Sequence, residues 1–402
     1  MRLAIRNVFR QRLRTLATLV AIASGVAGLI LAGGFVRDIY IQLGEAVIHS
    51  QTGHVQIFMR DFLSKGTRQP DKFLIPDAAA IAARVAEVAG VDKVAARLNF
   101  AGLLSNGRKD LAIIGEGVEP EKEADIGTYL TMESGRALNA DAPFELIAGQ
   151  GVAQSLALEV GDTVTLLAST GDGALNSLEF QLVGIFQSFS KDFDARAIRV
   201  PLAAAQELLL TDGANQIITL LHRTEDTDAA HSRIQALLGS DSLEVYNWRT
   251  LSDFYDKTVQ MYDRQFGVLE WIILLMVLLS VANSVNMSTF ERQAELGTMR
   301  AFGNRPSTIL KLLLSESLVL GLLGATLGAL IGNLIAITVS AIGIPMPPPP
   351  NANVGYTAMI RIGFEPTLKA WLIGFAATFL ASLLPAWRSV RNPIIDALRQ
   401  GI

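Results

Sequence analysis

Residues 268–344 read VLEWIILLMVLLSVANSVNMSTFERQAELGTMRAFGNRPSTILKLLLSESLVLGLLGATLGALIGNLIAITVSAIGI. Two apolar runs flank a polar centre. The run 268–285 carries one charge, Glu270, and a helix of that length just crosses a hydrocarbon core about 30 Å thick. The run 318–342 carries none, and Gly324, Gly328 and Gly332 recur in it at every fourth position. That spacing lines small residues along one helix face, where in lipid another helix can approach closely. Residues 291–306 are too polar for lipid and too short for a domain. Leu296, Met299 and Phe302 fall three apart and give a short helix an apolar edge, with Glu291 and Arg292 one turn before Glu295 on the other side. Gly303 and Asn304 suit the end of that helix, and Pro306 the first turn of the next.

Composition and charge extend the reading outward. The 402 residues are 50% hydrophobic and 18% charged, too apolar for an ordinary soluble protein and too polar for one wholly in the membrane. The net charge of −4 is unevenly placed. Residues 1–14 sum to +5, residues 287–311 to +2 and residues 386–402 to +2, so the remainder carries −13. By the positive-inside rule those three segments face the cytoplasm, which requires an even number of spans. Residues 16–36 are charge-free and supply the first span. A basic start, an apolar run and Ala21-Ile22-Ala23 also have the outline of a signal peptide, but the run exceeds the usual ~7–15-residue core of one. There are no cysteines, which excludes disulfides, thiol catalysis and cysteine-based metal sites.

The expected organisation follows in chain order. Residues 1–15 form a basic amphipathic helix on the inner membrane surface, and residues 16–36 are span 1. Residues 37–265 are an extracytoplasmic core domain with stalk helices, and residues 266–286 are span 2. Residues 287–308 form a cytoplasmic segment, residues 309–342 span 3, residues 343–367 a proline-rich exterior loop, residues 368–387 span 4 and residues 388–402 a cytoplasmic tail. Within 37–265, alternating apolar runs at 54–58, 109–117, 162–168, 179–186, 195–200, 216–222 and 243–248 predict strands. Helical runs at 77–89, 151–158, 202–210 and 228–238 lie between them, so the domain is α+β. Residues 37–50 and 251–265 read as helices that run into spans 1 and 2 without proline, a stiff stalk able to transmit a push. Trp371 and Trp387 suit the two interfaces of span 4.

The polar segment, with its ER-x-x-E-L-G-x-M-R-A-x-G pattern, resembles the FtsX-type permeases of ABC transporters, the group that includes MacB, LolC and LolE. So does span 3, with its early Glu316 and glycine ladder. Residues 149–166, 180–186 and the ending LLPAWRSVRNPIIDALRQG have the family's pattern too. The resemblance implies an α-helical membrane protein with four transmembrane helices and a large two-lobed extracytoplasmic α+β domain inserted between spans 1 and 2. It lies in the bacterial inner membrane with both termini cytoplasmic. It also implies that Glu291, Arg292, Glu295, Leu296, Gly297, Met299, Arg300, Ala301, Phe302 and Gly303 couple the permease to a separate ABC ATPase dimer, which holds the ATP and Mg. The implied partners are a second permease copy or paralogue, a periplasmic adaptor or chaperone, and membrane lipids.

Catalysis finds little support. No phosphate loop, nucleophile elbow or H-E-x-x-H pair occurs, so ATP hydrolysis belongs to another chain and this one carries no cofactor. His49, His54, His222 and His231 sit in pairs five and nine apart, and Asp192 and Asp194 beside Lys191 read as an exposed turn. Glu316 stands one turn inside the inner boundary of span 3, where a charge costs a few kcal/mol unless it pairs or snorkels; it either does so or ties the coupling segment to the bundle. The expected function is expulsion of lipoproteins or amphiphilic compounds from the outer leaflet or periplasm. The alternative is FtsX-like signalling to an extracytoplasmic hydrolase. The loop 169–177 lies where a LolC-type chaperone-catching loop would project, but it is short and lacks proline.

Overall fold

The computed structural model describes residues 12–66, 72–239, 242–348 and 355–391. Most of the basic segment 1–14, the prolines at 349 and 350 and the ending beyond Arg391 lie outside the described residues. The chain divides into a helical unit (residues up to Tyr40, Thr258–Pro345 and Thr357 onward) and an α+β unit (Ile41–Lys257 with Met346–Tyr356).

Among the described residues the helical unit is built from four helices long and apolar enough to cross a membrane. They are Arg12–Val47, Asp253–Glu291, Pro306–Ile342 and Phe364–Arg391, here called spans 1 to 4. Spans 1 and 2, at 36 and 39 residues, are each longer than the roughly 20 residues a bilayer requires. Small residues set the packing. A side chain at Gly328 would come within 2.7 Å of the Ala23 carbonyl and 2.8 Å of Val26, and Gly324 and Gly332 lie equally close to Ile22 and Ala27. The glycine ladder of span 3 therefore receives span 1 of the same chain, with dispersion contacts and close backbone approach supplying the association energy. Gly25 against Val277 and Gly374 against Val26 repeat the device with spans 2 and 4.

The loop before span 4 is strapped to the ends of spans 1 and 3. Buried Asp38 accepts from the Arg361 Nε and the Met359 amide, both at 2.7 Å, and Ser340 Oγ accepts from the Ile360 amide at 2.9 Å. Gly34, whose carbonyl accepts from the Arg361 amide at 3.1 Å, has no room for a side chain beneath that loop.

The α+β unit is organised on one sheet of ten strands: β1 (Val55–Met59), β2 (Val91–Ser105), β3 (Asp110–Val118), β4 (Thr131–Gly135), β5 (Glu145–Gly149), β6 (Thr163–Ser169), β7 (Leu175–Gln187), β8 (Ala197–Pro201), β9 (Gln216–Leu221) and β10 (Leu243–Asn247). Their order is β10-β1-β9-β2-β3-β8-β5-β7-β4, with β6 against β2 and β7. The central strand is β2, which changes partners along its length. Val91–Arg97 pairs with β9, whereas Leu98–Ser105 pairs with β3 and its end with β6. The expected runs at 54–58, 109–117, 162–168, 179–186, 195–200, 216–222 and 243–248 fall on β1, β3, β6, β7, β8, β9 and β10. Strand β2 itself, β4 and β5 were not expected from the sequence.

Apolar side chains of β2, β3, β5, β6, β7 and β8 form the largest core with the helices Gln150–Leu156 and Leu202–Leu209. A second core lies between β1, β2 and β9 and the helices Ala78–Ala86 and Thr227–Leu238. The loop 169–177 is a tight hairpin end. Ser169 pairs with Leu175, and Thr170 and Ala174 close the turn with a 2.8 Å backbone hydrogen bond.

Candidate functional site

The polar segment folds as a short helix, Gln293–Ala301, after span 2 ends at Glu291. Gly303 follows with φ +90, a left-handed conformation that glycine adopts without a side-chain clash. Pro306 opens span 3 as expected of a residue lacking an amide proton.

The apolar edge of this helix divides. Leu296 is buried with Ile309 and Leu313 of span 3 and Ala386 and Val390 of span 4, and Met299 packs half-buried against the same cluster. Phe302, the third member, is 85% exposed. Leu296 and Met299 thus fasten the segment to the bundle, and the face left outward carries Thr298, Ala301 and Phe302. Three-residue spacing shows that an edge exists, and only the packing shows which part of it is already covered.

A polar tie reinforces the apolar one. Arg292 donates from Nη1 to Glu316 Oε2 at 2.7 Å and from Nε to Glu295 Oε2 at 3.1 Å. Burial works against the Arg292 charge, but the Glu316 and Glu295 carboxylates outweigh it and hold the guanidinium above its ordinary range. The acid of span 3 therefore meets the residue that caps the helix of the polar segment, and neither charge is left unpaired in a low dielectric. Gly297 is buried, Arg300 is half-buried, and Ala301 and Gly303 are exposed.

A second constellation, in the α+β unit, was not found by sequence reasoning. Arg97 and Arg199, each with a side chain only 1% exposed, share the carboxylates of Glu116 and Glu123. Arg199 Nε stands 2.8 Å from Glu116 and its Nη1 2.9 Å from Glu123, while Arg97 bonds Glu123 at 2.5 and 3.1 Å. Burial raises the Glu116 pKa, but Arg199 and Arg97 outweigh it and hold the carboxyl below its usual range. Each arginine also reaches one backbone carbonyl, Arg97 that of Gln51 at 3.1 Å and Arg199 that of Ser50 at 3.3 Å. Those carbonyls belong to the wide helical turn Ile48–Thr52 that ends the helix Arg12–Val47. The four charges clamp the end of that helix to the sheet. The pairs are 26 and 83 residues apart in sequence, so no local pattern could announce them.

The histidines serve the same junction. His49 pairs with Glu45 at 3.3 Å, and Thr224 donates to Glu45 at 2.6 Å. Buried His54 accepts from the Leu221 amide through Nδ1 at 3.1 Å, and its Nε2 lies 3.0 Å from Thr224. Desolvation, with the nearby His49, lowers the His54 pKa to about 4. Among the described residues no group of three or more His, Asp or Glu side chains could hold a metal ion. Asp194, expected in an exposed turn, is instead buried and accepts from the Ser188 amide at 3.0 Å.

Among the described residues the chain is thus four helices long and apolar enough to cross a membrane, an α+β unit, and a polar segment fastened to the helices by the Arg292–Glu316 bridge. The MacB-like periplasmic core domain family matches residues 15–237, and the FtsX-like permease C-terminal family matches residues 267–394. The chain belongs to this family and is an ABC transporter permease of the LolC, MacB and FtsX type. It is 23% identical over 407 residues to the lipoprotein-releasing system transmembrane protein LolC of Xylella fastidiosa, covering 96% of this chain and 93% of that one. It is 26% identical over 271 residues to the macrolide export ATP-binding/permease protein MacB of Rhodospirillum rubrum, covering 64% of this chain and 38% of that one. The periplasmic region of MacB from Actinobacillus actinomycetemcomitans aligns with a TM-score of 0.38 at 14% identity, covering 53% of this chain and 95% of that one.

Proposed function

We infer that this permease converts ATP hydrolysis by a separate ABC ATPase into movement of its α+β unit. In this reading both termini face the cytoplasm, and the α+β unit is a two-lobed periplasmic domain inserted between spans 1 and 2. The charge distribution supports that orientation, and the change of partners along β2 supports the two lobes. The movement expels a lipoprotein or an amphiphilic compound from the outer leaflet or periplasm. Lipoproteins are the favoured cargo, because the lipoprotein-releasing relatives align over nearly the whole chain. Four spans are few for a transporter, so two permease copies or paralogues act with an ATPase dimer.

One observation carries the coupling role. The helix Gln293–Ala301 is fixed to the bundle by Leu296 and by the Arg292–Glu316 bridge, yet presents Phe302 85% exposed at its end. A rigid element with an exposed aromatic anchor is suited to a partner protein. A push on it would reach spans 2 and 3 through covalent and ionic links, and the α+β unit through the long helices of spans 1 and 2.

The test is assembly of the full chain with its ATPase. Phe302→Asp should weaken the complex by about 2 kcal/mol or more, roughly thirtyfold. It should leave thermal unfolding of the permease alone within about 0.5 kcal/mol, as expected for an exposed site. A complex that survives Phe302→Asp unchanged would remove the coupling role. Reporter fusions should read exterior at Gln187 and cytoplasmic at Asn304, and an interior signal at Gln187 would end the proposed orientation.

A further inference from the structure

Near the end of span 2 a cavity of about 360 Å³ opens between that helix and span 4, lined by Asn283, Asn286, Gln293, Arg388 and Ser389 with apolar walls. Its polar lining is made of side chains that can donate hydrogen bonds, and it contains no Asp or Glu. Among the described residues none of these five side chains has a hydrogen bond or ion pair, and Asn283, Asn286 and Arg388 are exposed. Glu295 and Glu316, on the following helix and on span 3, are engaged by Arg292.

The position of the cavity makes these free donors costly. Asn283 lies within a stretch, 271–290, that contains no charged residue, about 12 Å along the helix from Glu291. Hydrocarbon offers an amide no hydrogen bond, and an unmet one costs several kcal/mol. One turn nearer the membrane centre Leu279, Leu380 and Leu384 are 56–60% exposed, and Phe290 is 64% exposed at the rim. A cationic, donor-rich cleft with apolar approaches matches one kind of molecule: an anionic group carrying acyl chains.

We propose that this cleft binds the phosphate headgroup of an anionic phospholipid from the leaflet on the side of the polar segment, held by Arg388 and the amides of Asn283, Asn286 and Gln293. Its acyl chains lie along the exposed leucines of spans 2 and 4. The site is independent of the coupling role proposed for Phe302. Bound lipid would cement spans 2 and 4 beside the segment that follows span 2.

The full chain is placed in nanodiscs of phosphatidylcholine alone or with phosphatidylglycerol, and retained lipid is counted by native mass spectrometry alongside thermal unfolding. Phosphatidylglycerol should be retained and should raise the unfolding temperature. Arg388→Gln should weaken its retention about tenfold, the loss expected for a charge-assisted hydrogen bond, while Lys311→Gln, at another exposed cation, should leave it unchanged. Asn286→Leu serves if Arg388→Gln does not fold, because it places an apolar side chain toward lipid and should still cut retention several-fold. Equal losses for Lys311→Gln and Arg388→Gln would mean diffuse charge attraction and overturn the site. Inorganic phosphate reproducing the stabilisation in phosphatidylcholine discs would assign a soluble anion instead of a lipid. Absence of any phosphatidylglycerol effect would also overturn it.

Discussion

The two units of this chain differ in the part that small residues play in their packing. In the α+β unit the interior holds Phe100, Phe180, Phe186 and many aliphatic side chains, together with four ionised groups. In the helical unit the buried positions of span 3 beyond residue 320 are Gly321, Gly324, Ala325, Gly328, Gly332 and Ala336, while Leu330, Leu334 and Ile337 are exposed. Water explains the first arrangement, since removing apolar area from water supplies the driving force. Lipid removes that force, because a leucine gains little by leaving it, and close backbone contact decides the packing instead. The charges follow the same division. Four charges of the α+β unit are buried together as a quartet, whereas the Arg292–Glu316 bridge sits at the boundary of a span.

The largest expected effect lies in the quartet. Arg97→Leu leaves Glu123 short of a partner and the Gln51 carbonyl unbonded, and should destabilise the α+β unit by about 3–5 kcal/mol. Arg223→Leu, at a side chain 70% exposed, should cost under about 1 kcal/mol. Similar values for the two in thermal unfolding of the detergent-solubilised chain would break the contrast between buried and surface charge.

His54 gives the next effect, through pH. Its folded pKa, about 4, is depressed below its ordinary value near 6.5, so the unfolded chain takes up a proton where the folded one does not. The stability it confers is complete above about pH 6.5 and is lost as pH falls toward 4, by about 3 kcal/mol in all. His54→Gln should flatten that slope, measured as unfolding free energy against pH. An unchanged slope would assign the acid sensitivity elsewhere.

The smallest is in the bundle. Gly328→Leu overpacks the contact with Ala23 and Val26 and should cost about 1–3 kcal/mol, read by unfolding in detergent micelles. Leu327→Ala, on the 42% exposed face beside it, should be nearly silent in lipid. Equal effects would show that span 1 does not seat on the glycine face.

How much of this was legible in the sequence differs between the units for the same physical reason. Spans declare themselves by charge-free length, and the glycine ladder by period, so both were readable. Seven strands were found by alternation, but β2 was not, because VDKVAARLNFAGLLS mixes alanines, a buried arginine and a glycine instead of alternating. Its partners are chosen by contacts far away in the chain. Arg97 and Arg199 are buried by carboxylates that only the fold brings near. The polar segment was legible as a pattern, whereas the inward turn of Leu296 and Met299 depended on where spans 3 and 4 lie.

Hydrogen–deuterium exchange on the chain assembled with its ATPase tests the proposed transmission most directly. Exchange in the α+β unit, above all at the clamped turn Ile48–Thr52, is compared between nucleotide-free and vanadate-trapped complexes. The expected result is a nucleotide-dependent change at that turn and along the sheet, one that is absent when Phe302→Asp permease is mixed with the same ATPase. Identical exchange across the α+β unit in both nucleotide states, with the complex intact, would contradict transmission from the ATPase to this unit.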